Sequence, residues 1–229
     1  MTIAAQVKAE AVLALHLALR HRAVRLTGLL LVVALGLARD QGGGLSGLVL
    51  LGGVLAATAA ARPLAPGPAF HTARRAAANA VVTVLGRLAG VTLLLLVATL
   101  LATLMGGARN PASIGHVVMA MTAILAIAAP VLALAPLIGA SGAAGMGILA
   151  TLFGQLSPTA LSVMLERWPL VRDGAVRGWN VTPLGWRADR WEAQGGWADA
   201  SLFVLWIGLG VAAATWALLP PRDIEGGAQ

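Results

Sequence analysis

Several apolar runs in this sequence are longer than any core helix of a soluble protein needs, and charge is almost absent from them. The stretch from about 200 to 219, "ASLFVLWIGLGVAAATWALL", contains no ionisable side chain. A helix needs roughly 20 such residues to cross the hydrocarbon layer of a bilayer, and lipid offers the backbone no other partners than its own. With 59% hydrophobic and 11% charged residues in 229, the chain reads as an all-α integral membrane protein of about six transmembrane helices. That leaves no room for a fused soluble domain.

Cysteine is absent, which excludes disulfides, thiolate metal sites and cysteine catalysis. The formal net charge of +7 falls mostly outside the apolar runs. Its natural partners are membrane lipid with anionic headgroups or an acidic protein surface; no interleaving of aromatic and basic residues points to nucleic acid.

Residues 1–23 read as an N-terminal interfacial amphipathic helix rather than a cleavable signal, because Lys8, Glu10, His16, Arg20, His21 and Arg22 interrupt the apolar residues. Gln6, Glu10, His16 and Arg20 share an arc at 3.6 residues per turn, and Val7, Leu15 and Leu19 lie on the other side. Lys8, Arg20, Arg22 and Arg25 are the expected anchors to headgroups.

Five transmembrane helices are expected within 24–165. The first covers about 24 to 38, "VRLTGLLLVVALGLA", and the second about 45 to 61 across the turn "DQGGG", so the two form a hairpin. A basic loop on the cytoplasmic side follows at 62–87, broken by Pro63, Pro66 and Pro68 and kept wet by Arg62, His71, Arg74, Arg75 and Arg87. The third span is expected at about 88 to 107 and the fourth at about 112 to 138, with Pro130 and Pro136 bending or ending it. "GASGAAGMG" makes the next turn, and the fifth span runs to about Leu165. The sixth is expected at 200–219, closed by Pro220 and Pro221, with a tail at 220–229.

Between the last two spans lies 166–199, which holds Trp168, Trp179, Trp186, Trp191 and Trp197, five of the chain's seven tryptophans. Indole rings favour the headgroup level, apolar on their faces and with one N–H to satisfy. Their irregular spacing fits a folded extracytoplasmic cap, turned at Pro169, Gly174, Gly178, Pro183 and Gly185, with its Arg and acidic residues pairing locally. Six spans put both termini on one side, with nine Lys and Arg there against seven on the other, and the larger number is expected in the cytoplasm.

By this reading no span interior holds Asp, Glu, Lys or Arg, which argues against a proton-coupled or ion-coupled pump. His116 near Met119 and Met121 reads as interfacial rather than as a haem ligand, and His16 and His21, five apart, do not share a helical face for a metal. "GASG" at 139–142 resembles the serine motif of rhomboid intramembrane proteases, with Ser141 in the nucleophile position, but no histidine follows His116 to act as base. Neither a catalytic residue nor a metal site nor a cofactor is expected. The "NVT" at 180–182 reads as chance, and no phosphate-binding glycine loop is present, so any ATP use falls to a partner.

The order of elements resembles the membrane subunit of ABC transporters of the ABC-2 type. The resemblance rests on the basic helix Val7 to Arg22 before the first span, on "FHTARR" at 70–75 between spans two and three, on the tight turn "GGARNP", and on "GQLSPTALSVMLERWP" at 154–169. It implies that Phe70, His71, Arg74 and Arg75 couple the chain to an ATP-binding cassette subunit, and that a second membrane subunit, a copy or a paralogue, completes the pathway. It also implies an exporter in the inner membrane of a bacterium, moving a lipid-like or amphipathic substrate. This chain departs from the family in having no Asp or Glu between Asp40 and Glu166 and in its long final loop. The competing reading is a non-catalytic structural or assembly subunit of a larger membrane complex, docking through its Trp-rich loop.

Overall fold

A computed structural model describes residues 2–37, 45–67, 70–71, 79–106, 114–182, 186–188, 190 and 197–219. The "DQGGG" and "GGARNP" turns fall wholly or mostly outside them. Helix is the only regular secondary structure among the described residues. In chain order the elements are α1 (Ile3–Arg20), α2 (Arg22–Leu37), α3 (Leu45–Ala60), α4 (Ala80–Gly106), α5 (Ile114–Phe153), α6 (Pro158–Met164), α7 (Pro169–Trp179) and α8 (Trp197–Leu218).

Local chemistry sets the boundaries. The Thr2 hydroxyl accepts from Ala5 N at 3.4 Å to open α1, and His21, in extended conformation, breaks it from α2. Asn79 Oδ1 accepts from Val82 N at 3.3 Å to open α4, and the Ser157 hydroxyl accepts from Ala160 N at 3.1 Å to open α6. Each cap satisfies a first-turn N–H that lacks an intrahelical partner.

Three helical segments among the described residues are long and apolar enough to cross a membrane: Ala80–Leu101 in α4, Val118–Phe153 in α5, and α8. This is the architecture of an all-α membrane protein. At 16 residues each, α2 and α3 rise about 24 Å, short of the ~30 Å hydrocarbon layer. They do form the expected hairpin. The Thr27 and Thr58 hydroxyls lie 3.3 Å apart, and each also donates to a carbonyl in the preceding turn of its own helix.

Helix α5 is two arms folded at Gly139, where φ is 75° and ψ is 168°. A Cβ on Gly147 would sit 2.5 Å from Val131 Cγ2 and 2.7 Å from Ala57 Cβ. On a straight helix positions 131 and 147 would be about 24 Å apart, so the chain reverses between them. Thr151 and Ile127 likewise meet at Gly53, equally far from the reversal on either side. The turn expected at "GASGAAGMG" is therefore in place, made by the one residue type that adopts this dihedral without strain.

Small residues then let the backbones close up. Gly52 and Gly53 of α3 take Ile124, Ile127 and Thr151 of α5, and Gly210 of α8 abuts Ala129 and Pro130. The main core between them includes Leu31, Leu55, Val84, Leu95, Ile124 and Leu132. With no hydrophobic driving force between helices in lipid, such close approach is what dispersion needs.

Three expectations are corrected. The helix expected from 88 begins at Ala80, which moves Arg87 from the wet loop into its second turn. The helix expected to reach Leu165 stops at Phe153; Gly154 and Gln155 turn, and α6 follows as a separate short helix. Gly174 and Gly178, expected as turns, lie inside α7, with open space where a Cβ would be.

Gly139→Ala should lower the thermal midpoint of the detergent-solubilised protein, since a side chain at this backbone conformation costs about 1–3 kcal/mol. Gly145→Ala, six residues further in the same helix and facing open space, should leave it unchanged or raise it.

Candidate functional site

Two polar clusters stand out from the apolar bundle, one at each end. The first joins α1 to α4. Gly86 and Gly90 of α4 receive α1 so closely that a Cβ on Gly90 would lie 2.4 Å from Ala11 O, and one on Gly86 would lie 2.6 Å from Glu10 Cβ. Between those glycines Arg87 turns inward. Its side chain is 1% exposed, its Nε donates to Glu10 Oε2 at 3.0 Å, and its Nη1 donates to the Pro63 carbonyl. One guanidinium thus ties together α1, the start of α4 and the turn after α3. A charge so buried is tolerable only because a carboxylate and a carbonyl take its donors.

The four expected anchors, Lys8, Arg20, Arg22 and Arg25, are all exposed on α1 and α2. At the break between these helices, His21 Nδ1 accepts from Arg62 Nη2 at 3.4 Å. Burial first, and then the Arg62 charge, hold the His21 imidazole below its usual 6.5. Of the expected coupling residues, Phe70 is buried in the main core, and His71 is exposed, its ring 5.8 Å from that of Phe70 in an edge-on contact. Arg74 and Arg75 lie outside the described residues.

The second cluster pins the segment between α7 and α8. Asp199, in the first turn of α8 and almost fully buried, accepts from Arg187 Nη1 at 2.5 Å and from Arg190 Nε at 3.0 Å. Arg187 also donates to the carbonyls of Thr182 and Asn180. Both guanidinium groups stack near the Trp186 ring, with Cζ at 4.7 and 5.1 Å from its centroid. The Trp186 amide donates to Gly154 O at 2.9 Å, while its buried Nε1 has no acceptor. Trp179 Nε1 donates to Leu156 O at 2.9 Å, and Trp206 Nε1 to Val181 O at 2.7 Å.

The tryptophans expected as one cap therefore divide. Trp179 and Trp186 hold the segment down, Trp168 and Trp197 are exposed, and Trp191 lies outside the described residues. The local pairing of Arg with acid is present, centred on Asp199.

Reading the sequence placed neither ion-pair cluster. A signal for the first existed: Arg87 stands seven residues into the apolar run that starts at Ala80, and no acid lies between Asp40 and Glu166, which leaves Glu10 and Asp40 as the nearest acids along the chain before it. Among the described residues, no three His, Asp or Glu side chains group as a metal site, and Ser141 stands exposed two residues past the reversal. Comparison with protein-family models, with curated proteins and with solved structures finds no match.

Two predictions follow, one from the first cluster and one from the His21–Arg62 contact. Glu10→Ala strands a buried guanidinium and should cost about 3–5 kcal/mol, whereas the double variant Glu10→Ala with Arg87→Met should recover much of that loss; thermal unfolding in detergent reads both. For His21 the unfolded chain binds a proton near 6.5 and the folded chain only at lower pH. Stability is therefore full above 6.5 and falls as pH drops from 6.5 toward the lowered folded value. A series of thermal midpoints from about pH 7.5 to 5.5 should show that slope, and His21→Asn should flatten it.

Proposed function

We propose that this chain is the transmembrane subunit of an ATP-driven ABC exporter in the inner membrane of a bacterium. It moves a lipid-like or amphipathic substrate, and a separate ATP-binding cassette subunit hydrolyses ATP. A second membrane subunit, a copy or a paralogue, forms the other half of the pathway. No catalytic role falls to this chain.

The observation that carries the reading is the Glu10–Arg87–Pro63 tie. It fixes α1, with its exposed Lys8 and Arg20, to the first turns of a span-length apolar helix. A force applied to α1 by a partner reaches α4 through a buried ion pair and two close-packed glycines rather than through a flexible hinge. Phe70 adds a second route, because its ring is set into the main core while the adjoining His71 is outside. Rigid elements with two discrete arrangements are what alternating access requires. The small and apolar faces of α3, α5 and α8 suit a lipid-like cargo better than an inorganic ion.

The alternative, a structural or assembly subunit of a larger membrane complex, draws support from the exposed Trp168 and Trp197 beside a firmly pinned loop. The two readings part on one experiment. Purification of the tagged chain in mild detergent should bring down an ATPase subunit whose activity responds to lipid-like substrates. Charge reversal at Arg74 and Arg75 should weaken that association by roughly tenfold, about 1.4 kcal/mol, and uncouple ATP turnover from transport. A stable complex containing no nucleotide-binding chain would instead support the assembly role.

A further inference from the structure

One buried donor in the Trp-rich segment lacks an acceptor. Trp186 is 7% exposed, yet its indole Nε1 makes no hydrogen bond. A buried N–H left unpaired costs about 1–3 kcal/mol, so a chain keeps one where something outside it supplies the acceptor. The residue is held on both sides. Its amide donates to Gly154 O at 2.9 Å, and two residues on Ala188 is buried with Met119, Ala120, Ala123 and Phe203. The indoles of Trp179 and Trp206 each donate to a backbone carbonyl, so this end of the molecule does satisfy indoles where a carbonyl is in reach.

The same ring carries surplus positive charge. Arg187 and Arg190 hold their Cζ atoms 4.7 and 5.1 Å from its centroid, and one carboxylate, Asp199, serves both. Two cations against one anion leave a single positive charge unmatched among the described residues. Each nitrogen of the Arg187 guanidinium has an acceptor, in Asp199 or in the Thr182 and Asn180 carbonyls. Arg190 differs. Its Nε and Nη2 reach Asp199, its Nη1 bonds to none of the described residues, and its side chain is 39% exposed. The unpaired indole N–H and the unpaired guanidinium edge thus belong to one stack, buried at Trp186 and open at Arg190.

The position of the stack selects among anions. At 22 residues α8 rises about 33 Å, little more than the ~30 Å of hydrocarbon it has to cross. A span made from it puts Asp199, its third residue, at one edge of the apolar layer, next to a Trp197 that is 88% exposed. Anions at that edge are carried by amphiphiles. An oxyanion also suits the two donors chemically, since it only accepts, has lone pairs for both and cancels the surplus charge. A neutral acceptor would leave that charge in place, and a metal cation would add to it.

We propose that the stack of Trp186, Arg187 and Arg190 is a binding site for an oxyanion on the headgroup of a membrane amphiphile, with Arg190 Nη1 and Trp186 Nε1 as its donors. The site stands with either reading of the chain's role, because binding to the isolated chain needs no ATPase subunit.

The indole N–H is its own reporter. The full chain, made with isotope-labelled tryptophan and held in non-ionic detergent, gives one N–H resonance for each of its seven indoles, and Trp186→Phe identifies the relevant one. On titration with a short-chain phosphatidylglycerol that resonance should move downfield and saturate. Arg190→Gln should weaken binding about tenfold, as expected for losing one charge-assisted hydrogen bond. Arg190→Lys, which keeps the charge beside Asp199, serves if the glutamine variant folds poorly, and should weaken binding severalfold. A resonance that does not move overturns the proposal, because the acceptor is then a buried water or nothing. An equal shift with a diacylglycerol of the same chain length, which lacks the oxyanion, overturns it too. So does equal saturation by inorganic phosphate at the same concentration, which would make this a site for free anions. Asp189 and Glu192 lie outside the described residues, and Asp189→Asn and Glu192→Gln test whether the chain fills the site itself. If either variant tightens phosphatidylglycerol binding about tenfold, the chain's own carboxylate is the occupant and the proposal fails.

Discussion

The reversal at Gly139 is the constraint on which the rest of the structure depends. It converts one long apolar segment into two arms of unequal length lying against α3, and it sets their register through Gly53 and Gly147. Because the second arm is short, space is left beside the upper part of the first arm and α8. Trp186 and Ala188 are buried there, and the Asp199 cluster holds Arg187 and Arg190 beside them. A residue with a Cβ at 139 would strain the reversal, and larger residues at 53 or 147 would push the arms from α3.

Buried charge among the described residues is concentrated at two places where it ties elements together. Arg87 with Glu10 and the Pro63 carbonyl secures α1 to α4; Arg187 and Arg190 with Asp199 secure the loop to α8. Desolvating such groups is expensive, so each cluster persists only with its donors and acceptors filled. Both lie in the N-terminal part of a span-length helix, Arg87 as the eighth residue of α4 and Asp199 as the third of α8. Placed there, they fix α1 and the Arg187–Arg190 stretch against those helices. The proposed coupling role uses the first cluster.

What could be read from the residues alone was whatever lipid or local geometry dictates. The apolar runs announced helices, the Thr27 to Thr58 hairpin followed from two short runs around a glycine turn, and the "GASGAAGMG" turn was marked by its glycines. The boundaries that failed were those where two signals competed. Arg87 was read as the end of a wet loop because charge in an apolar run normally means water. A partner 77 residues away made the opposite true. Gly174 and Gly178 were read as turns because glycine weakens a helix, yet α7 runs through both, packed on α6 and tied by the Trp179 indole to the Leu156 carbonyl. Of the candidate site residues, the exposure of Lys8, Arg20, Arg22 and Arg25 was legible, since a cation beside an apolar run has to find water. The division of the tryptophans into two that pin and two that face outward was not, because an indole at an interface serves either purpose.

The sequence by itself determined that this is an all-α membrane protein, where small residues permit close helix contact and where a chain without cysteine must rely on packing and ion pairs. Lipid imposes those outcomes on any chain of this composition, whatever its neighbours. Only the tertiary structure decided which charges would be buried, how far the second arm of α5 would reach, and which residues would tie the Trp-rich loop to α8. Those depend on register between helices distant in sequence, where a shift of one turn would move Glu10 away from Arg87 and Asp199 away from Arg187. Local propensity carries no information about that register; the fit of glycine and alanine faces against particular partners sets it.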